Sequence, residues 1–520
     1  MMQRETTILW VDDEIDLLKP HVIFLESKGY RIDTVNNGSD ALDMVAKKQY
    51  DIVFLDENMP GISGLETLAR IKKINNSLPI IMITKSEEEF IMDEAIGSQI
   101  ADYLIKPVNP MQMLMAVKKI ADKKRLVSEK TTMNYQSQFN ELGVEINNAA
   151  TANDWKNILK KLVFWELELQ KNGIASMEQI LQMQKTEANN RFVKYVVTNY
   201  ESWFSKPDAD TPLLSPNIFK NKVFPAIKNG EQVAVIIIDN LRFDQWKCIE
   251  QMVSTLYNVE DEDILFSILP TATQFARNAM FAGLMPLEIE KLHPDLWVNE
   301  DEEEAKNNFE KELLQKQMDR MGIKASLFYD KIHNAEKSQK LSNDINEIMR
   351  NQLSVLIINF VDMLSHARTD SQMIRELAYD EKAYRSITQS WFTHSTLFEL
   401  MKTLAAKNIK VILTTDHGTI RVTNPIKVIG DKNVSSNLRY KQGRNLDYNP
   451  KEVYEIRNPQ TIHLPRINVS TSYIFATGRD FFAYPNNYNY YVSYFRNTFQ
   501  HGGISMEEMM IPLITLSPIR

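Results

Sequence analysis

The sequence predicts a mixed α/β protein built from three successive parts. Residues 1–122 alternate short apolar runs with helical patterns, which is typical of a doubly wound parallel sheet. Residues 123–205 contain no proline and repeat apolar residues three and four positions apart, which predicts a helical bundle. Strand-like runs return beyond the proline-containing segment 206–216. Residues 206–520 are therefore predicted to form a second α/β domain.

The composition narrows the classes of protein to consider. The 520 residues carry a formal net charge of −8, with 43% hydrophobic and 25% charged residues, which allows several buried cores. An acidic chain is not drawn to duplex DNA, and no basic recognition helix follows residue 123. The single cysteine, Cys248, cannot form an internal disulfide, and the apolar run at 233–238 is too short to cross a membrane. We expect a soluble cytoplasmic protein without membrane insertion or direct duplex DNA binding.

Polar residues follow the predicted strands of the first part. Asp12 and Asp13 follow ILWV, Asp56 follows IVFL, Thr84 follows IIMI, and Lys106 precedes a proline. If these strands are parallel neighbours, their side chains meet at one edge of the sheet. Clustered carboxylates favour a divalent cation such as Mg²⁺, and one of them can accept a phosphoryl group. Lysine and hydroxyl side chains then pair with the added charge.

The segments VDDE (11–14), LDENMPGISG (55–64) and YLIKP (103–107) closely resemble the response-regulator receiver domain, which has a flavodoxin-like fold. The resemblance implies that Asp56 is the phosphoacceptor and that a sensor histidine kinase is the partner. It implies a magnesium site formed by Asp12, Asp13, Asp56 and the backbone carbonyl of Asn58. It also implies three switch residues, Thr84, Tyr103 and Lys106. The alternative is a flavodoxin-like fold with unrelated acidic residues.

The third part contains aspartates and histidines at the ends of strand-like runs. Asp239 ends AVIIID, Asp416 and His417 end VILTTDH, and Asp362 lies four residues before a histidine on one helical face. A further histidine lies in QHGG, and Thr271 follows a proline in LPTAT, where a helix is expected to begin. Zinc takes aspartate and histidine ligands, and two metal ions about 4 Å apart can clamp the attacking and leaving oxygens of a phosphoryl group. The spacing therefore points to phosphoryl transfer.

This pattern resembles the alkaline phosphatase superfamily, in particular its PglZ-type branch. The resemblance implies two zinc ions, one held by Asp362, His366 and His501 and the other by Asp239, Asp416 and His417. It implies that Thr271 is the nucleophile, and a threonine there is more similar to the phosphodiesterase members. No residue clearly matches the phosphate-clamping arginine of the superfamily. Arg277 or Asn278 is a candidate substrate-binding residue, with ordinary helix packing as the alternative.

The order of the three parts resembles the PorX-type response regulators linked to type IX secretion. That resemblance implies phosphodiesterase activity on cyclic or linear oligonucleotides and homodimer formation on phosphorylation. The alternative is a non-catalytic regulator that binds a sigma factor or a secretion component through its metal-containing domain. The stretch 421–500 is rich in basic and aromatic residues, which is typical of a surface that binds nucleotide bases or of ordinary strand packing. The charged stretch 288–350 is predicted to form a cap over the metal site or part of a dimer interface.

Overall fold

The computed structural model describes residues 6–85, 100–299, 307–332, 345–430 and 435–519. The chain divides into two compact units. The first contains Met1–Gln136 and Leu169–Ile174, and the second contains Ser137–Glu168 and Ala175–Arg520.

The first unit contains a five-stranded parallel sheet with the strand order β2-β1-β3-β4-β5. Its strands are β1 Thr7–Val11, β2 Arg31–Val35, β3 Ile52–Asp56, β4 Ile80–Thr84 and β5 Asp102–Ile105. Its described short helices are α1 Lys19–Glu26, α2 Gly38–Lys47 and α3 Gly64–Ile74. Alternate residues of β1 enter two separate apolar clusters, one containing Ile8 and Trp10 and the other Leu9 and Val11. Both faces of this sheet are therefore covered, as a parallel sheet requires.

Three long helices follow: α4 Pro110–Asn148, α5 Ala152–Lys171 and α6 Ala175–Asn199. Within the second unit, Trp155 of α5 packs edge-to-face on Phe192 of α6, with ring centroids 5.4 Å apart. The indole of Trp165 donates a hydrogen bond to Gln138 of α4. The predicted apolar stripes thus form the core of a helical bundle. Over the described ranges, no helix is both long enough and apolar enough to span a bilayer.

The second unit is built on a six-stranded sheet with the order β7-β18-β10-β6-β9-β8. Its strands are β6 Val233–Ile238, β7 Tyr257–Phe266, β8 Leu327–Ile332, β9 Leu353–Ile358, β10 Lys410–Thr414 and β18 Met510–Pro518. Strands β8, β9, β6 and β10 are parallel, whereas β18 runs antiparallel to both β10 and β7. The apolar runs that precede Asp239 and Asp416 form the neighbouring strands β6 and β10 in the middle of this sheet.

The remaining helices of the second unit follow α6 along the chain. They are α7 Ser202–Ser205, α8 Phe224–Lys228, α9 Phe243–Val253, α10 Thr273–Ala282, α11 Pro286–Leu292, α12 Glu310–Arg320, α13 Ile345–Met349, α14 Phe360–Asp370, α15 Gln372–Leu377, α16 Glu381–His394, α17 Thr396–Ala406, α18 Tyr488–Phe495 and α19 Met506–Met509. This unit also contains the 3-10 helices Ser215–Asn217, Pro294–Leu296 and Pro459–Ile462 and the π-helix Phe219–Val223, and the first unit contains the 3-10 helix Ile15–Leu18.

The stretch 421–500 is structured on its own. It forms small sheets that pair β11 with β17, β12 with β16, and β13 with β15 and β14. These strands are β11 Ile420–Arg421, β12 Asn424–Lys427, β13 Tyr440–Gly443, β14 Tyr454–Ile456, β15 Ser472–Phe475, β16 Asp480–Ala483 and β17 Phe499–Gln500. Two of its basic residues are buried structural groups, since Arg439 pairs with Glu508 at 2.6 Å and Lys441 donates to the carbonyl of Ser435. The aromatic run forms α18, on which Tyr490 is 63% exposed.

Candidate metal centres

The predicted receiver residues meet at the carboxyl ends of β1 and β3. Asp12 and Asp56 are buried there, whereas Asp13 is exposed, and one carboxylate oxygen of each lies within 4.8 Å of the others. The ammonium of Lys106 lies 3.0 Å from Asp12 Oδ2 and 2.9 Å from Asp56 Oδ1. Burial raises the pKa of Asp56, and Lys106 offsets only part of that rise. This is an oxygen-only site of the kind that suits Mg²⁺.

The remaining predicted receiver residues lie around this cluster. The hydroxyl of Thr84 donates to the carboxylate of Glu57, and Asn58 is exposed just beyond β3. Tyr103 is a partly exposed residue of β5 and pairs in register with Met82 of β4. A Cβ at Gly64 would lie 2.2 Å from the carbonyl oxygen of Asp56, so the backbone here allows no side chain.

The first effector cluster contains Asp239, Asp416 and His417. Strands β6 and β10 are parallel neighbours paired through Ile237 and Thr414, so the residues that follow them emerge side by side. The Nε2 atom of His417 lies 3.9 Å from Asp239 Oδ1 and 3.7 Å from Asp416 Oδ2. All three side chains are buried.

The second effector cluster contains Asp362 and His366 on α14 and His501 after β17. The Nε2 atoms of His366 and His501 lie 3.5 Å and 3.8 Å from opposite oxygens of the Asp362 carboxylate. His366 reaches solvent with 65% of its side chain exposed, whereas His501 is largely enclosed. The imidazoles of His417 and His501 stack with centroids 4.2 Å apart, so the two clusters are adjacent.

Burial is the largest influence on the electrostatics of both clusters. Burial raises the pKa of Asp239 to about 6, and it also raises those of Asp416 and Asp362. Burial lowers the pKa of His417 to about 4 and that of His501 to about 3, so both rings are neutral at pH 7. Asp239 Oδ1 and Asp416 Oδ2 are buried and accept no hydrogen bond from the described residues.

The histidine tautomers also suit metal ligation. His417 Nδ1 lies 3.1 Å from the carbonyl oxygen of Gly418, and His501 Nδ1 lies 3.1 Å from that of Thr271. A proton on each Nδ1 would be donated to these carbonyls, which leaves both Nε2 lone pairs facing the carboxylates. Nitrogen and carboxylate ligands with orphaned buried oxygens fit zinc.

Two threonines at the start of α10 lie in different surroundings. The Thr271 hydroxyl is fully buried, donates to the carbonyl of Gly503 at 2.9 Å and accepts from the amide of Gly502 at 3.0 Å. The Thr273 hydroxyl lies 3.1 Å from His417 Nε2, the nitrogen that faces Asp239 and Asp416. Thr273 was missed by the sequence reasoning, and its signal was the second threonine of LPTAT at the predicted helix start.

Glycines let the chain pass close to these ligands. Gly502 has φ +124°, and a Cβ there would lie 2.7 Å from Asn437 Oδ1. A Cβ at Gly418 would lie 2.0 Å from the carbonyl oxygen of Glu507. Gly502 is therefore required by its positive φ and its tight side-chain neighbours, and Gly418 by the close approach of the Glu507 backbone.

Arg277 and Asn278 do not reach an open surface. Arg277 pairs with Asp239 Oδ2 and with Glu310 Oε1, both at 2.8 Å, and Asn278 accepts a hydrogen bond from Asn307. Both side chains are buried, so their contacts do not support the predicted role in substrate binding. The guanidinium and the two carboxylates stay paired because a buried charge is costly to leave without a partner.

Comparisons with known families agree with this arrangement. Residues 8–118 match the family described as the response regulator receiver domain, and residues 125–204 match the PorX response regulator linker domain. Residues 218–516 match the BREX system PglZ alkaline phosphatase-like domain. The chain belongs to the PglZ family. The order of receiver, linker and PglZ domain is that of a PorX-type response regulator, and a receiver domain implies a cognate sensor kinase.

Individual relatives cover shorter parts of the chain. The transcriptional regulatory protein ZraR of Klebsiella oxytoca is 33% identical over 143 residues, which are 28% of this chain and 32% of that protein. The transcriptional regulatory protein ResD of Bacillus subtilis is 35% identical over 114 residues, 22% of this chain and 47% of that protein. The chain therefore spans less than half the length of these relatives. The solved structure of chemotaxis protein CheY4 of Vibrio cholerae is 26% identical and covers 22% of this chain and 99% of that one, with a TM-score of 0.22.

Proposed function

We propose that this response regulator is a phosphorylation-controlled, metal-dependent phosphodiesterase. The observation that carries the proposal is the Thr273 hydroxyl, which lies 3.1 Å from His417 in the first of two adjoining clusters of aspartates and histidines. Purely structural sites do not need a hydroxyl aimed at the ligand atoms. Phosphoryl transfer does, because it requires a positioned nucleophile beside concentrated positive charge.

The two clusters would each hold one zinc ion. Asp239, Asp416 and His417 would hold the first, and the second would be held by the set Asp362, His366 and His501. When bound, zinc polarises a phosphoryl oxygen and favours the deprotonated form of a nearby hydroxyl. Arg277 orients Asp239 through its 2.8 Å contact, and the carbonyls of Gly418 and Thr271 orient the two buried imidazoles.

We assign the attacking hydroxyl to Thr273, although the superfamily resemblance points to Thr271. A bond forms between Thr273 Oγ1 and phosphorus while the bond to one alkoxide breaks, and that alkoxide takes a proton from water. The resulting threonyl phosphodiester still carries the other ester group, and attack by water then breaks the Oγ1–P bond and releases a phosphomonoester. The hydroxyl proton leaves to solvent. The amino end of the ten-residue helix α10 favours the anionic phosphoryl group. The hydroxyl of Thr271, bound to both glycines of QHGG, would anchor the loop that carries His501.

The substrate class is a nucleotide-type phosphodiester, either a cyclic or a linear oligonucleotide. Helix α18 supports this choice, because Tyr490 and Tyr494 stack with centroids 6.0 Å apart and Tyr490 exposes a face on which a base can stack. The guanidinium of Arg375 lies 5.5 Å from the Tyr494 ring centroid and donates to the carbonyl of Thr369 near the end of α14. This aromatic surface therefore adjoins the helix that carries His366.

Control would come from the receiver. Asp56 would take the phosphoryl group of a sensor kinase, forming a new P–O bond as the P–N bond of the kinase phosphohistidine breaks, with Mg²⁺ held by Asp12, Asp13, Asp56 and the Asn58 carbonyl. Phosphorylation would promote a homodimer and link hydrolysis to type IX secretion. The match to the PorX linker family supports this part of the proposal.

A matched pair of variants tests the catalytic assignment. Thr273→Val should lower kcat for a nitrophenyl phosphodiester by about 10³-fold, because a covalent nucleophile is lost. Thr271→Val should lower it far less, with zinc content measured in both proteins. Loss of activity only in Thr271→Val would restore the assignment implied by the resemblance. Unchanged rates in both would refute a threonine nucleophile, and a zinc-loaded parent without hydrolytic activity would favour a non-catalytic regulator. An oligonucleotide panel, with and without acetyl phosphate and in Asp56→Asn, then identifies substrate and control.

A further inference from the structure

Six charged side chains lie enclosed behind the two effector clusters, between the linker helices and the PglZ sheet. Three are acids and three are bases, so the group is neutral as a whole: Glu166, Asp244, Glu381, Lys185, Arg242 and Arg385. Burial opposes every one of these charges. Ion pairing nevertheless lowers the pKa of each acid and raises that of each base, so all six are ionised.

The contacts form a continuous path from the linker to the effector. Glu166 of α5 pairs with Lys185 of α6 at 2.7 Å and with Arg385 of α16 at 3.1 Å. Arg385 also pairs with Asp244 at 2.7 Å. Asp244 in turn holds Arg242 through two hydrogen bonds of 2.9 Å and 2.6 Å. The path therefore ends at the Arg242 guanidinium, whose charge is paired and whose orientation is held by the two hydrogen bonds.

Arg242 lies directly behind the turns that present Asp239 and His417. It is three residues beyond Asp239, and the intervening Leu241 donates its amide to the hydroxyl of Thr415. A Cβ on Gly418 would lie 3.3 Å from the Arg242 side chain, so the DHG turn packs against it.

Arg242 also supports the second cluster through two aromatic rings. Its guanidinium lies 5.6 Å from the ring centroids of both Tyr384 and Phe499, which stack on each other at 4.1 Å. The Tyr384 hydroxyl donates to the carbonyl of Val361, the neighbour of Asp362, and Phe499 precedes His501 by two residues. Arg242 thus contacts, directly or through these two rings, each segment that carries a candidate metal ligand of the effector clusters.

We propose that Arg242 is the positioning residue of the metal centres and that Glu166 of the linker completes its anchorage. The linker is then part of the scaffold of the site rather than only a connection to it. A second contact agrees, since Asn189 of α6 donates to Glu507 and accepts from the amide of Met506 at 2.8 Å. The activity readout of this inference rests on the proposed phosphodiesterase, whereas its metal-affinity readout does not.

Glu166→Gln in the full-length, zinc-loaded protein tests the inference. The zinc dissociation constant should rise about 10- to 100-fold, the usual effect of removing an outer support of metal ligands. The kcat for a nitrophenyl phosphodiester should fall by a similar factor with KM nearly unchanged, measured well below the melting temperature. Glu187→Gln is the matched control, because Glu187 forms an exposed pair with Arg191 on α6 and should change neither quantity.

Two further variants separate positioning from general stability. Glu166→Gln combined with Lys185→Gln restores charge balance, so it should recover the melting temperature but not the zinc affinity. Arg242→Lys keeps the charge but cannot hold Asp244 with two hydrogen bonds, and it should weaken zinc binding even where Glu166→Gln folds poorly. Zinc affinity within twofold of the parent in Glu166→Gln and Arg242→Lys would overturn the inference. An inactive parent with the predicted affinity losses would refute only the phosphodiesterase.

Discussion

The receiver site and the effector centres both place acidic residues at the carboxyl ends of parallel strands. The two regions differ in the side chains that lie against those acids. In the receiver, Lys106 reaches between Asp12 and Asp56, and Asp13 remains exposed. In the effector, Arg277 pairs with one oxygen of Asp239 and neutral histidines face the acids, while Asp239 Oδ1 and Asp416 Oδ2 have no hydrogen-bond donor among the described residues. The receiver site therefore pairs its buried acids within the protein, whereas the proposed zinc centres would rely on cations to do so.

Metal removal should produce the largest difference between the two regions. Treatment with a zinc chelator followed by excess Mg²⁺ should restore receiver phosphorylation by acetyl phosphate but leave phosphodiester hydrolysis reduced by about 10³-fold. Phosphoprotein gels and nitrophenol release measure the two activities on one sample. Recovery of hydrolysis by Mg²⁺ alone would remove the distinction drawn between the sites.

The effect of Asp239→Asn on the free energy of unfolding should depend on pH and should change sign when zinc is added. In the metal-free protein, burial holds the pKa of Asp239 near 6, so the folded state retains a proton that the unfolded state releases above pH 4. The parent therefore loses stability as pH rises from about 4 to 6, by up to about 3 kcal/mol.

The metal-free Asp239→Asn variant should accordingly be more stable than the parent at pH 8 and equal to it below pH 4, as measured by denaturant unfolding. With zinc present, the parent should be the more stable protein because the variant loses a ligand. A variant that is less stable than the metal-free parent at pH 8 would contradict this prediction. It would show that the ion pair with Arg277 stabilises the charged Asp239 more than burial destabilises it.

Lys106→Met should have a smaller effect on the receiver. Removing the ammonium leaves two buried carboxylates facing each other and should cost about 1–3 kcal/mol of unfolding free energy without Mg²⁺. Saturating Mg²⁺ should recover most of that loss. Thermal melts with and without Mg²⁺ measure both values, and an equal loss in both conditions would mean that Lys106 does not stand in for the cation.

Exposed ion pairs should give the smallest effects in both regions. Glu66→Gln on α3 and Glu399→Gln on α17 break pairs with Arg70 and Lys402 that are largely solvated. Each should change the free energy of unfolding by less than about 0.5 kcal/mol. Larger changes would mean that the Lys106 and Asp239 variants cannot be interpreted through burial.

Sequence patterns anticipated the parts of the sites that depend on strand ends. Asp239 and Asp416 each follow a continuous apolar run, and parallel pairing of β6 with β10 brings them together. The edge strand β8 was missed because its residues, with Asp330 and Lys331, read as part of a charged helical stretch. Its pairing with β9 depends on tertiary contacts that local propensity does not encode.

Side-chain roles were harder to predict than positions. A sequence motif cannot distinguish Thr271 from Thr273, because both are threonines of LPTAT. Only the folded structure shows that the Thr271 hydroxyl hydrogen-bonds to Gly502 and Gly503, whereas the Thr273 hydroxyl lies next to His417. Arg242 has no local signal, since its acidic partners include Glu381 more than a hundred residues away. Long-range ion pairs of this kind leave no periodicity in a single sequence.

The position of β18 has a consequence for biosynthesis. This strand lies between β7 and β10, although the ribosome makes it long after both. Until residues 510–518 have been synthesised, β7 lacks the strand that pairs with it along its length, and β10 pairs on one side only, through β6. The sheet that presents Asp239 and Asp416 is therefore completed only after its six strands, the last of them β18, have left the ribosome.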